Sequence, residues 1–120
     1  MNLPFDIQLR AAGIPEPVTE HKFYEGKMWV KVKTGKKKGQ MVYKTRLWRF
    51  DYAWPDKMIA LECDGGLWVK GRHVNPLGYL GDLEKLGEAF ALGWSVLRVS
   101  PQQLENGTAV RWLKARMEKI

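Results

Sequence analysis

Two apolar runs near the middle of the chain alternate with a period of two, and one short turn joins them. In residues 47–54 (Leu-Trp-Arg-Phe-Asp-Tyr-Ala-Trp), Trp48, Phe50, Tyr52 and Trp54 fall on one side of an extended strand, and Leu47, Arg49, Asp51 and Ala53 on the other. In residues 58–64, Ile59, Leu61 and Cys63 alternate with Met58, Ala60, Glu62 and Asp64. The aromatic side and the Ile/Leu/Cys side are the expected core, so all three acids are expected on the opposite face. Pro55 cannot adopt the positive φ of a two-residue hairpin turn, so a four-residue loop over 55–58 is expected. That register sets Asp51 directly opposite Glu62, with Cβ atoms roughly 5 Å apart.

The same reading extends along the chain. Residues 3–12 carry Phe5, Ile7, Leu9 and an Ala pair and predict a short helix ended by Gly13. A strand begins over 20–24, and Met-Trp-Val-Lys-Val-Lys after Lys27 is β-rich. Gly35 to Gly39 reads as a hairpin tip, with 40–44 as the returning arm. This makes a β-ribbon projecting from the sheet. Trp29 and Tyr43 lie at its base or face, and core packing is favoured over base stacking as their role. Trp68 to Leu77 reads as a loop. Leu80, Leu83, Leu86 and Phe90 recur at helical spacing over 78–92 and are expected to face the sheet. Asp82 and Lys85, three apart, read as a surface ion pair. Gly93 caps that helix, and residues 94–99 form an apolar strand; a helix crossover into a buried strand implies parallel pairing. A helical turn starts at Pro101, and 108–118 predicts a last helix with Val110, Leu113 and Met117 inward. The order is α-β-β-β-α-β-α, an α/β fold with a mixed sheet flanked by helices.

Composition changes this picture in two ways. The 120 residues suffice for one domain, 1–120, with a modest core. The net charge of +7 is concentrated: Lys22, Lys27, Lys31, Lys33, Lys36, Lys37, Lys38, Lys44, Arg46 and Arg49 surround a single acid, Glu25. A basic block of this kind is the footprint of a polyanion binder, and it falls on the ribbon, 27–46. No apolar run reaches the length of a membrane span, and the first residues do not read as a signal peptide. The lone cysteine, Cys63, excludes an internal disulfide and fits a reducing cytoplasm; with only His21 and His73 besides, a structural zinc site is not expected.

The acids carry the candidate chemistry. Unpaired carboxylates are costly in half-buried strands. Asp51, Glu62 and Asp64 therefore call for a compensating cation, and the opposed pair Asp51/Glu62 suits Mg²⁺, which takes one or two carboxylates together with waters and substrate phosphates. Gly65-Gly66 follows and would let a ligand approach the backbone, with Lys70, Arg72 and His73 shortly after. Metal-assisted phosphodiester hydrolysis needs these parts: an ion to neutralise the phosphate and activate water, and a Lys or His to orient that water or take its proton.

Asp51, ten residues, Glu62-Cys-Asp-Gly-Gly, Trp68, Gly71-Arg-His and then Gly93-Trp-Ser-Val-Leu-Arg-Val resembles the PD-(D/E)XK nuclease superfamily, and within it small phage and prophage endonucleases and the very-short-patch repair endonucleases. The likeness runs from about Leu9 to Leu104. It implies a restriction-endonuclease-like fold carrying an inserted basic hairpin, and a DNA endonuclease dependent on Mg²⁺ or Mn²⁺ in a bacterial or phage-infected cytoplasm. By position, Asp51 and Glu62 would be metal ligands, with the Cys63 carbonyl beside them. Asp64 stands where the family has its lysine. Asp64 would then join the metal shell, or the lysine role would pass to Lys70 or Lys85. His73 matches a histidine that assists proton transfer, and Glu20 would be an accessory acid. Lys31, Lys33, Lys36, Lys37, Lys38, Arg46, Arg49 and Arg72 would hold the phosphate backbone. A catalytically inactive DNA-binding module and a dimeric Holliday-junction-type resolvase are the alternatives, and the choice between monomer and homodimer is open.

Overall fold

The computed structural model describes residues 3–64, 68–69, 72–73 and 76–119. Lys70, Gly71 and Gly65-Gly66 lie outside the described residues, as do the side chains of Arg72 and His73. The elements are α1 (Phe5–Ala11), β1 (Val18–Lys31), β2 (Met41–Trp54), β3 (Ile59–Cys63), β4 (Trp68–Val69), β5 (Arg72–His73), α2 (Pro76–Ala91), β6 (Ser95–Val99), α3 (Pro101–Glu105) and α4 (Thr108–Met117). Four strands form a mixed sheet in the order β1-β2-β3-β6, antiparallel except for the parallel pair β3/β6. The expected 68–77 loop instead contains the small antiparallel pair β4/β5.

The β2–β3 turn forms because Pro55 starts a single 3₁₀ turn over Pro55–Lys57 and Met58 closes it in the left-handed region at φ 55°. Trp54 then pairs with Ile59, Ala53 with Ala60 and Tyr52 with Leu61. The ladder ends at Tyr52–Leu61, one step before the expected Asp51–Glu62 pair, and the Cys63 N–H donates instead to the Asp51 side chain.

Both faces of the sheet are covered. On one, Trp54, Ile59, Leu61 and Val99 pack with Leu9, Val110 and Leu113 of the flanking helices. The Trp54 indole N–H donates to the Pro15 carbonyl at 2.7 Å and fixes the connection after α1. On the other, Phe50, Ala53, Ala60 and Ala89 form a smaller cluster beneath α2, joined by Phe23, Trp94 and Val96. Phe50 therefore leaves the aromatic face predicted for it. Phe50 pairs with His21 in β1, next to Glu20 at φ 49°, and the β1–β2 register shifts just beyond, between Lys22 and Tyr24.

The face of α2 also differs from the expectation. Phe90 is 82% exposed and Leu83 is exposed, while Ala89 is fully buried. Asp82, Lys85 and Ala89 are turned to the sheet, a helical stripe in which two of three positions are charged. A hydrophobic-periodicity reading gives such a stripe to solvent.

The basic segment 27–46 is continuous with the sheet: it is the outer part of one hairpin whose strands each run 14 residues. At the usual strand rise, 14 residues span about 46 Å, close to the molecule's longest dimension of 52 Å. A two-stranded ribbon is marginal alone. Cross-strand aromatic pairs support it, Phe23 on Phe50 at 3.9 Å, Tyr24 on Trp48 at 5.0 Å and Trp29 on Tyr43 at 5.1 Å between ring centroids. No described helix is long and apolar enough to cross a membrane.

Candidate active site

Among the described residues Glu62 is the buried acid of the sheet, 8% exposed near the end of β3. Removing a lone carboxylate from water is costly unless it is paired. The partner comes from α2: Lys85 Nζ donates to Glu62 Oε1. The Lys85 ammonium also lies 5.8 Å from the Phe50 ring centroid. Burial pushes the Glu62 carboxyl above the usual carboxylate range; Lys85 pulls it back down, and the neighbouring charge of Asp51 adds to the rise.

Asp51 turns toward the seam between β2 and β3, where its Oδ2 accepts the Cys63 backbone N–H at 2.8 Å. It lines a cavity of about 220 Å³ with Thr19, Glu20, Tyr52, Cys63 and Leu104. Glu20, held at φ 49°, lines the same cavity. Leu104 arrives there because Ser100 and Gln103 form a reciprocal capping box that starts α3 directly after β6. Gln8 of α1 donates to the carbonyls of Leu104 and Glu105 and holds α3 in place. Burial and the Asp51 charge raise the pKa of both the Tyr52 phenol and the Cys63 thiol, which disfavours the thiolate.

Asp64 is engaged elsewhere. Its Oδ1 accepts from Arg98 Nε at 3.1 Å and from Arg98 Nη2 at 2.7 Å, and the same Nη2 reaches Asp82 at 3.2 Å. Burial disfavours the Arg98 charge, but the two aspartates outweigh it and raise its pKa. Asp82 and Lys85 do not pair with each other as expected; each crosses from α2 to a different strand of the sheet. Arg98 and Asp82 were not among the sequence candidates. The signal for Arg98 was present, a charge inside the apolar strand Val-Leu-Arg-Val, and it is the same signal that singled out Glu62.

The residues expected to hold a metal are thus neighbours without a shared focus. Among the described residues, no three His, Cys, Asp or Glu side chains are placed as a ready-made donor group. Asp64 does not fit a metal shell while Arg98 holds it. Asp51 is near enough for its charge to raise the Glu62 pKa, but it lines a cavity with Tyr52 and Leu104, beside the first cluster, while Glu62 meets α2 on the other side, so the acids do not share one face as expected. Together Asp51, Glu62, Asp64 and Asp82 set four carboxylates against two cations, Lys85 and Arg98, an excess of two negative charges inside a chain of net +7.

Of the phosphate-binding candidates, Lys31, Lys33, Lys36, Lys37, Lys38 and Arg49 are exposed on the ribbon or at its base. Arg46 is half-buried, with its guanidinium 5.9 Å from the Trp48 ring centroid. Another cavity, about 240 Å³ between β6 and α4, is lined by Val96, Leu97, Trp112 and Leu113 and has Arg116 as its one ionisable neighbour, so the acid chemistry is not there. No family model, curated protein or solved structure matches this chain.

Proposed function

We propose that this chain is a DNA endonuclease of the PD-(D/E)XK type, with a restriction-endonuclease-like fold and a dependence on Mg²⁺ or Mn²⁺. The observation that carries the reading is the buried Glu62–Lys85 pair beside Asp51: an acid and a lysine brought together from different elements next to a second acid. In this reading Lys85 fills the role of the lysine that is missing at position 64. Asp51, Glu62 and the Cys63 carbonyl would hold the ion, which when bound would neutralise the scissile phosphate and lower the pKa of its water. Lys85 favours the ionised form of Glu62 against burial and would orient water or supply a proton to the leaving oxygen. Asp64 acts through Arg98 by locking α2 to β3 and β6. Lys70 and His73 remain the other candidates for proton transfer. The ribbon lysines and Arg49, with Arg72, would hold the DNA backbone.

Two results test this. Holding the ion requires ionised Glu62, whose pKa is raised, so cleavage should decline as pH falls along a limb lying above the ordinary carboxylate range. A pH–rate profile that shows the limb at an ordinary carboxylate pKa counts against Glu62. Converting Lys36, Lys37 and Lys38 together to Ala should weaken duplex binding and reduce the slope of log K against log salt by about 2–3. An unchanged slope removes the ribbon tip from the interface.

One observation favours a second reading, a DNA-binding module without catalysis: Glu62 and Asp64 each already have a cation. Calorimetric titration of Mn²⁺ into the protein separates the two. Binding that disappears in Asp51→Asn supports the enzyme, and no heat in the wild type supports the module.

A further inference from the structure

Trp29 and Tyr43 are 61% and 57% exposed and belong to neither buried cluster. They are direct cross-strand partners near the far end of the ribbon, with rings inclined at 37°. Met41 and Leu47 are exposed at the same alternation on β2. A soluble domain has little reason to hold two large rings in water on a strand pair that could carry Thr or Lys there, and a contiguous exposed apolar patch marks a contact surface. Its surroundings select the partner. Lys31 follows Trp29 on the same face, and Lys33, Lys36, Lys37 and Lys38 crown the tip beyond it. A second copy of this basic ribbon would meet it with like charge. A chain of phosphates carrying flat bases satisfies both the cations and the rings.

We propose that this face of the ribbon is a stacking platform for unpaired nucleobases, so that the DNA bound here contains single-stranded or unpaired positions. The proposal rests on the DNA-binding part of the reading above and is independent of the cleavage part. A duplex offers the platform only phosphates, because its bases are already stacked. An unpaired base can lay its face on Trp29 or Tyr43, a contact that tolerates any sequence. The tip lysines, just beyond the rings, then track the flanking backbone.

Anisotropy of labelled probes in EDTA, where no chemistry intervenes, tests this with an oligo-dT of about twelve nucleotides, an abasic strand of equal length and a duplex. Trp29→Thr with Tyr43→Thr removes the rings and puts strand-favouring β-branched residues in their place. This variant should bind oligo-dT about tenfold more weakly or worse, while affinity for the abasic strand and the duplex barely changes. Trp29→Phe should retain most of the oligo-dT affinity. Equal losses on oligo-dT and the abasic strand, or no loss on either, would overturn the platform. So would Trp29-dependent binding to phosphatidylserine vesicles with oligo-dT affinity unchanged. Failure of the nuclease reading is read separately: a wild type that cuts no DNA with Mg²⁺ or Mn²⁺ yet discriminates oligo-dT from the abasic strand keeps the platform and loses the enzyme.

Discussion

Asp51→Asn should leave a folded protein that still binds DNA and should lower Mg²⁺-supported cleavage by about a thousandfold or more, roughly 4 kcal/mol of barrier. The substitution is chosen for what it preserves. The Cys63 N–H donates to one carboxylate oxygen of Asp51, and the Asn side-chain carbonyl can accept that bond in the same place. The seam between β2 and β3 therefore stays closed. What disappears is a full negative charge adjacent to Glu62, and with it the excess that favours a divalent ion. Binding to DNA should hold or tighten, because one anion fewer faces the phosphates. Gel cleavage and anisotropy on one preparation decide the matter. A variant that cuts as fast as the wild type in Mg²⁺, free of contaminating nuclease, ends the assignment of Asp51. A variant that loses binding and melts early shows a structural role instead.

The parts of this fold that were legible are those governed by local sterics. Pro55 ruled out a two-residue turn, and the four-residue loop followed, with the β2–β3 register behind it. Gly93, at φ 95°, ended α2 where a positive φ was needed, and the crossover then required β6 to run parallel to β3. What was not legible depended on polar groups turned inward. Asp82 and Lys85 look like solvent-facing residues on α2 because each is charged. Their partners, Arg98 and Glu62, sit on different strands, so no local pattern links them. Counting them as surface rotated the whole helix in the prediction and buried Phe90, which is in water. Phe50 departs from strict alternation as well: its ring packs on the α2 side with Ala53, Ala60 and Ala89, while Trp54 packs on the other. Trp29 and Tyr43 read as packed at the base or face of the ribbon, because paired aromatics in strands ordinarily signal core, yet both are exposed.

The second large effect concerns that inward polarity. Lys85→Met should cost about 3 kcal/mol of folding stability at neutral pH, the usual consequence of breaking a buried pair and stranding its partner. Met fills much of the space of the lysine stem, so the loss is electrostatic and not a cavity. The pH dependence gives the test its direction. Burial already raises the Glu62 pKa in the folded state, and removing Lys85 takes away the influence that lowers it. An acid whose folded pKa lies above its unfolded value holds its proton longer when folded, so stability declines as pH rises from the unfolded pKa through the folded one. The deficit of Lys85→Met should therefore be small near the ordinary glutamate pKa of 4.5 and should grow toward neutrality. Urea melts of wild type and variant across that range read it directly. Adding Glu62→Gln to Lys85→Met should recover most of the neutral-pH loss, since the stranded charge is gone. A deficit that does not vary with pH, or a double variant no better than the single, would mean that Lys85 and Glu62 do not stabilise each other, and the pairing on which the proposed chemistry depends would have to be abandoned.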